Sequence, residues 1–254
     1  FANSIIGARS NREGGPAALA AAIVGRTPRY GYHLDSERLA DIVVEVRCPV
    51  RDVADFGALS YVVGKQVGNA TLWFADLAGH LPPLASDITQ GGAAGDRLKT
   101  LGAGLAAYGA VALFHIAGYT PEALDLGEAL LKPDARRLVV DSLDPGYTVM
   151  DADPDLRQID LVTIGCPHAS LSEIEQIAGM LAGQRVATQL WVTTARITRD
   201  RARAAGWVQA IEAAGGQVVA DTCAVVAPVR SIGITTMATN AGKMACYAPA
   251  HSKV

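Results

Sequence analysis

The chain has 254 residues, half of them hydrophobic, and a formal net charge of −3. That length supports one large or two ordinary domains with a sizeable core, and so small a charge gives no basis for a nucleic-acid or anionic-membrane partner. No apolar run reaches the roughly 18 residues of a membrane span, and four cysteines without a CxxC do not read as a disulfide framework, which points to a reducing, cytoplasmic compartment.

The first residues, Phe1-Ala2-Asn3-Ser4, carry no initiator Met and no charged leader, and read as the end of a strand already under way. The last, HSKV, break off after a motif-rich stretch, so the chain reads as a piece of a longer protein. Asn3, Ser4, Arg9, Ser10, Asn11 and Arg12 form a loop rich in donors. It leads into an Ala-rich helix with Pro16 near its start, an arrangement that suits a carboxylate or phosphate as well as an ordinary solvated loop.

Strands and helices then alternate. Strands are predicted over 41–46, 71–75, 110–116 and 137–141, and helices over 56–67, 96–108 and 121–131, the second weakened by its glycines and the third capped by Thr120. Asp144-Pro145-Gly146 reads as a turn and a domain boundary. The second half repeats the theme with strands over 161–164, 189–192, 217–220 and 234–236, a helix over 171–181 and helical pieces over 199–214. This β-α-β-α order implies an α/β fold with mostly parallel sheets. The expected division is 1–30 as the end of an upstream α/β domain, then α/β domains over 31–147 and 148–254.

The chemistry gathers at strand ends. Residues 161–164 are a buried strand run, Pro167 stops it, and Ser170 stands three residues before Glu173 in capping-box spacing. Cys166 and His168 thus lie where a strand gives way to a helix, the edge at which open α/β sheets bind ligands. Cys223 follows the strand over 217–220 in the same way. Two thiols at one such edge are natural ligands for iron or zinc, although cysteine is also a common packing residue. His168 suits a ligand, an acid/base or a carboxylate donor, and equally a local cap. Asn240 and Lys243, in TNAGK after the last strand, put an amide and an ammonium at another strand end, where a solvated turn is the plainer alternative. Cys48 and Cys246 read as packing residues and His115 as a core histidine. No GxGxxG, P-loop or GxSxG is present.

Several stretches together carry a resemblance: FANSIIGARSNREGG (1–15), GYHL (31–34), GAVALFHIAGYTPEA (109–123), IGCPHASLSEIE (164–175), ADTCAVVAPV (220–229) and TNAGKMACYAPAHS (239–252). In this order the sequence resembles the catalytic large domain of the aconitase X family, the dehydratase branch of the aconitase superfamily. The resemblance implies stacked three-layer α/β/α domains around an iron–sulfur cluster (2Fe-2S or 4Fe-4S) or a single iron. It implies Cys166 and Cys223 as two of three metal ligands, the third lying upstream of FANS. It implies His168 and Lys243 as catalytic residues, and Asn3, Ser4, Arg9, Asn11 and Asn240 as substrate contacts. A swivel domain or small subunit would carry the base. The implied activity is an iron-dependent hydro-lyase acting on a small hydroxy acid, with GCPHAS resembling the cis-3-hydroxy-L-proline dehydratases. The alternatives are dehydration of mevalonate 5-phosphate and a metal-free binding module.

Overall fold

The computed structural model describes residues 1–84, 91–150 and 155–252. After helix α1 (Gly15–Val24), strands β1 (Ala40–Val46), β2 (Leu72–Phe74), β3 (Phe114–Ile116) and β4 (Leu131–Val140) form a parallel sheet in the order β3-β2-β1-β4. Parallel neighbours need crossovers. Helices α2 (Val53–Val67) and α3 (Ala93–Gly109) supply two of them, with α4 (Pro121–Leu126) between β3 and β4 and α5 (Asp144–Met150) after β4.

Alternation along β1 sets the layers. Ile42, Val44 and Val46 face α2 and α3, packing with Phe56, Leu59, Leu98, Leu101 and Leu105. Val43 faces the other way, with Trp73, Ala123 and Leu130, and Ala40 joins it because the register shifts between Ala40 and Ile42. Each large side chain buried here contributes about 1.5–3 kcal/mol.

Strands β5 (Leu161–Ile164), β6 (Gln189–Thr194), β7 (Gln217–Ala220) and β8 (Met237–Thr239) form a second parallel sheet, ordered β7-β6-β5-β8. Helices α6 (Leu171–Met180), α7 (Arg196–Ala204) and α8 (Trp207–Ala213) cover one face through Ile174, Ala178, Ala202, Val208 and Ile211. Residues 224–234 and α9 (Gly242–Tyr247) cover the other, with Ala224, Val229, Ile234 and Met244. The chain is therefore α/β with two three-layer units. Tyr108 of α3 donates to the Gly242 carbonyl at 2.7 Å and Cys246 of α9 to the Ala107 carbonyl at 3.8 Å, which joins the units.

Local expectations fail where tertiary contacts compete. Residues 1–6 form a turn rather than a strand end, the Ile5 amide donating to the Phe1 carbonyl at 2.8 Å. Residues 144–146 open helix α5, since Pro145 suits a first turn and Gly146 sits where a Cβ would be 2.6 Å from the Ala58 carbonyl on α2. β3 begins only at Phe114 because α3 runs on to Gly109 and Ala110 caps it with φ +59°. β4 begins earlier than expected. It is an edge strand that admits Pro133 at an irregularity in its pairing with β1. β8 begins later, because Asp160 takes the amides of Thr235 and Thr236 at 2.9 and 3.1 Å. The glycines of α3 serve close packing: a Cβ on Gly104 would lie 1.8 Å from Ser60 Oγ. Thr120 precedes α4, but its hydroxyl accepts from the Ile116 amide instead of capping the helix.

Two charged clusters lock the first unit. Asp55, 1% exposed, accepts from the Arg51 amide, the Arg51 guanidinium and the Tyr147 hydroxyl at 2.8, 2.9 and 2.6 Å. Burial pushes its carboxyl up, but the bonds from Arg51 and Tyr147 outweigh this and hold it at about 2. Arg38, 1% exposed, grips Glu122 with Nε at 2.6 Å and Nη2 at 2.7 Å. It also donates to the carbonyls of Tyr32, Asn3 and Ala8. His115 is the core histidine expected: Nε2 donates to the Arg38 carbonyl at 2.9 Å, and burial holds its pKa below the ordinary value.

Candidate metal and substrate site

Cys166 leaves β5 through Gly165, whose φ of +115° and contact with β6 exclude a side chain: a Cβ would lie 2.1 Å from the Thr193 carbonyl. Thr193 and Thr194 stitch this turn to the end of β6. Their hydroxyls donate to the Gly165 and Ala169 carbonyls at 3.0 and 2.6 Å, and the Ala169 amide donates to the Thr193 carbonyl at 2.8 Å. The capping box forms as expected, Ser170 Oγ accepting from the Glu173 amide at 3.1 Å while Glu173 Oε2 accepts from the Ser170 amide at 2.8 Å.

Cys223 leaves β7 through Asp221, which is anchored by the Arg196 amide and guanidinium, both at 2.9 Å. His168 links the two cysteine turns, its Nε2 lying 3.1 Å from the Thr222 carbonyl. A carbonyl only accepts, so Nε2 carries the proton and Nδ1 of the neutral ring is left as an acceptor.

The two thiols lie at one edge. Cys166 is buried, Cys223 is half-buried, and the two are near enough to act on one another electrostatically. Burial pushes the Cys166 thiol up; the Lys243 ammonium pulls the other way, and the charge of Cys223 adds to the rise. Lys243 thus lies in the electrostatic neighbourhood of the pair, brought there by α9 at the end of β8. Soft sulfur donors side by side next to a cation fit two positions of an iron centre. Among the described residues no group of three or more His, Cys, Asp or Glu could hold a metal ion together. Cys48 packs on the first core and Cys246 bonds the Ala107 carbonyl.

A cavity of about 520 Å³ opens beside the turn, lined by His168, Ser170, Lys99 and Asp96 and floored by Gly102 and Ala106 of α3. A second, of about 220 Å³, shares Gly102 and Ala106 and is lined by Asn3, Ser10, Asn11 and Arg12. The His168 turn and the amino-terminal loop therefore border two neighbouring cavities that share Phe1, Gly102 and Ala106. Asn3 and Ser4 spend their side chains on the fold. Asn3 bonds the Ser10 backbone and the Ala112 carbonyl, and Ser4 Oγ accepts from the Phe114 amide at 2.9 Å. Asn11 holds the backbone of Tyr30 and Tyr32 while lining the cavity. Arg9 pairs with Asp35 at 2.5 Å. Asn240 is not brought to either of these; it lines a separate cavity of about 430 Å³ with Tyr147, Met150 and Met244.

Residue type alone did not single out Lys99, Arg38 or Glu122. The one available signal was that Glu122 falls inside the family-like stretch 109–123.

Models of the first, second and third domains of aconitase X match residues 1–36, 40–145 and 159–254 in that order. The chain belongs to the aconitase X family. Among aconitase X relatives, the phosphomevalonate dehydratase large subunit of Methanothermobacter thermautotrophicus is 43% identical, over 98% of this chain and 58% of its own length. The cis-3-hydroxy-L-proline dehydratase of Pseudomonas aeruginosa is 34% identical, over 98% of this chain and 42% of its own. The crystal structure of Thermococcus kodakaraensis aconitase X in its holo-form superposes with a TM-score of 0.84 at 40% identity, over 98% of this chain and 60% of that one. The chain thus spans about three fifths of the length of its phosphomevalonate dehydratase relatives. Among the described residues no helix is long and apolar enough to cross a membrane.

Proposed function

We propose that the chain is the catalytic large part of an aconitase X hydro-lyase that dehydrates a β-hydroxy carboxylate. The supporting observation is that His168 links the turns of Cys166 and Cys223 at one sheet edge and lines the adjacent cavity, with Lys243 near enough to act on the Cys166 thiol. Cys166 and Cys223 would hold two positions of an iron–sulfur cluster or a single iron. When bound, that iron supplies Lewis acidity toward the departing hydroxyl.

In the reaction the α-carbon–hydrogen bond breaks, its electron pair becomes the double bond, and the β-hydroxyl leaves with a proton as water. Lys243 neutralises the carboxylate on which charge builds as the α-proton departs. His168 Nδ1 accepts from a substrate hydroxyl, because Nε2 is committed to Thr222. Asn3, Ser4 and Arg9 shape the amino-terminal loop, and Asn11 and Arg12 meet the far end of the substrate. A swivel domain or small subunit brings the base, in keeping with relatives named as large subunits. The three-part division at 1–30, 31–147 and 148–254 and the cytoplasmic, reducing setting belong to the same reading.

The greater identity to the phosphomevalonate dehydratase chains, 43% against 34%, favours mevalonate 5-phosphate as substrate. Arg12, which lines the neighbouring cavity, suits its phosphate. The GCPHAS motif keeps cis-3-hydroxy-L-proline as the second reading. In the full-length protein with its partner, turnover of the two compounds decides between them. Iron content tests the ligands: Cys166→Ala and Cys223→Ala should each lose iron and turnover, and retention of both by either variant refutes the assignment.

A further inference from the structure

Where α3 of the first unit meets the amino-terminal turn of α6 in the second, a small charged seam borders the cleft beside His168. Lys99 Nζ contacts Glu173 Oε2, donates to the His168 carbonyl at 3.1 Å and lies 3.4 Å from Asp96 Oδ1. Glu173 is the residue that closes the capping box of α6. Ser172 Oγ donates to Asp96 Oδ2 at 2.8 Å and accepts from the Gly92 amide at 2.9 Å. Lys99 is therefore the cation facing two carboxylates, one of them, Asp96, only 3% exposed with Oδ1 making no hydrogen bond.

The capping box alone suffices to start α6, so helix formation does not account for the lysine. What Lys99 adds is a link between units. It holds the carbonyl of His168, two residues beyond Cys166, and the carboxylate that fixes the Ser170 amide, all from a helix that forms the floor of the cleft. With both neighbouring carboxylates drawing on it, its ammonium is committed within the protein rather than offered to an anionic substrate.

We propose that Lys99 is a positioning residue: through Glu173 and the His168 carbonyl it sets the Cys166–His168 turn at a fixed place relative to the substrate cleft. This rests on the reading of Cys166 and Cys223 as metal ligands and adds to it a residue from the other unit. Groups that orient a metal's ligands typically govern affinity or activity by about 10–100-fold. A turn released from such a clamp opens more often and exchanges its amides faster.

The test uses the full-length protein with its partner. Lys99→Met should lower kcat by about 10–100-fold with KM changed less than about threefold, while Lys99→Arg restores most of kcat. In the iron-free protein, hydrogen exchange of residues 165–174 should rise by about tenfold in Lys99→Met, with residues 189–204 unchanged. Glu173→Gln keeps a capping side chain but loses the ion pair. It should reproduce a smaller, selective rise, and it carries the test if Lys99→Met does not fold. A uniform loss of protection with kcat unchanged overturns the proposal by making Lys99 merely structural. A KM raised by about tenfold with kcat intact overturns it by making Lys99 a substrate contact. If Cys166→Ala retains iron while the selective exchange effect appears, the metal reading fails and the clamp on the turn stands.

Discussion

Replacing Arg38 by Met offers a sharp check on how the amino-terminal loop is held. The guanidinium is 1% exposed and donates five hydrogen bonds, two of them to Glu122 and the rest to the carbonyls of Tyr32, Asn3 and Ala8. Methionine fills much of the volume but leaves a carboxylate and three carbonyls without their donor. Removing one partner of a buried pair costs about 3–5 kcal/mol, most of it the desolvation of the group left behind. For a chain of this size, about 1 kcal/mol corresponds to roughly 2–4 °C in Tm, so the expected fall is about 6–20 °C in a thermal melt of the full-length protein. Because Asn3 and Ala8 are anchor points, KM should rise as the loop loosens. Arg38→Lys keeps the charge without the fork and should fall between. The double variant Arg38→Met with Glu122→Leu should recover part of the loss, since no buried charge remains unpaired. A Tm within about 2 °C of the parent for Arg38→Met would refute the reasoning.

Other outcomes follow from the same contacts. Asp55 has its carboxyl held at about 2 rather than 3.8, so its contribution, about 1–2 kcal/mol after allowance for the exposed Arg51, is complete above about pH 4 and is lost as pH falls toward 2. Asp55→Asn should flatten the acid side of the stability–pH curve, and an unchanged slope between pH 4 and 2 counts against it. Gly165→Ala puts a Cβ 2.1 Å from the Thr193 carbonyl at a positive φ; it should cost about 2 kcal/mol or more and reduce iron content, read by thermal melt and metal assay. Cys48→Ala and Cys246→Ala should keep iron and turnover, with Tm lower by only a few degrees; loss of iron in either would place a ligand where none is assigned.

Much of the site was legible locally. The run over 161–164, the proline that ends it and the Ser170–Glu173 spacing place a cysteine and a histidine at a strand–helix junction, and the structure forms that junction with its capping box. Strand and helix alternation, a period-2 or period-3.6 pattern within each segment, was enough for an α/β fold with parallel sheets. Boundaries were harder, for reasons outside the segments. Whether 144–146 turns or begins a helix depends on Ala58 of α2, and where β8 begins depends on which amides Asp160 takes.

By itself, then, the sequence determined the elements, the chemistry at their ends and the family motifs, because these rest on side-chain type and on spacings of a few residues. Only the tertiary structure decided which ends face one another. Cys166 and Cys223 come to one edge because β5 and β7 flank β6 in one parallel sheet, so their carboxyl ends emerge on the same side. Arg38 finds Glu122 across 84 residues and Lys99 finds Glu173 across 74, separations at which no local pattern carries information. Such pairs exist because packing two layers of helices against two sheets removes the alternatives from water, and burial makes an unpartnered charge too costly to leave.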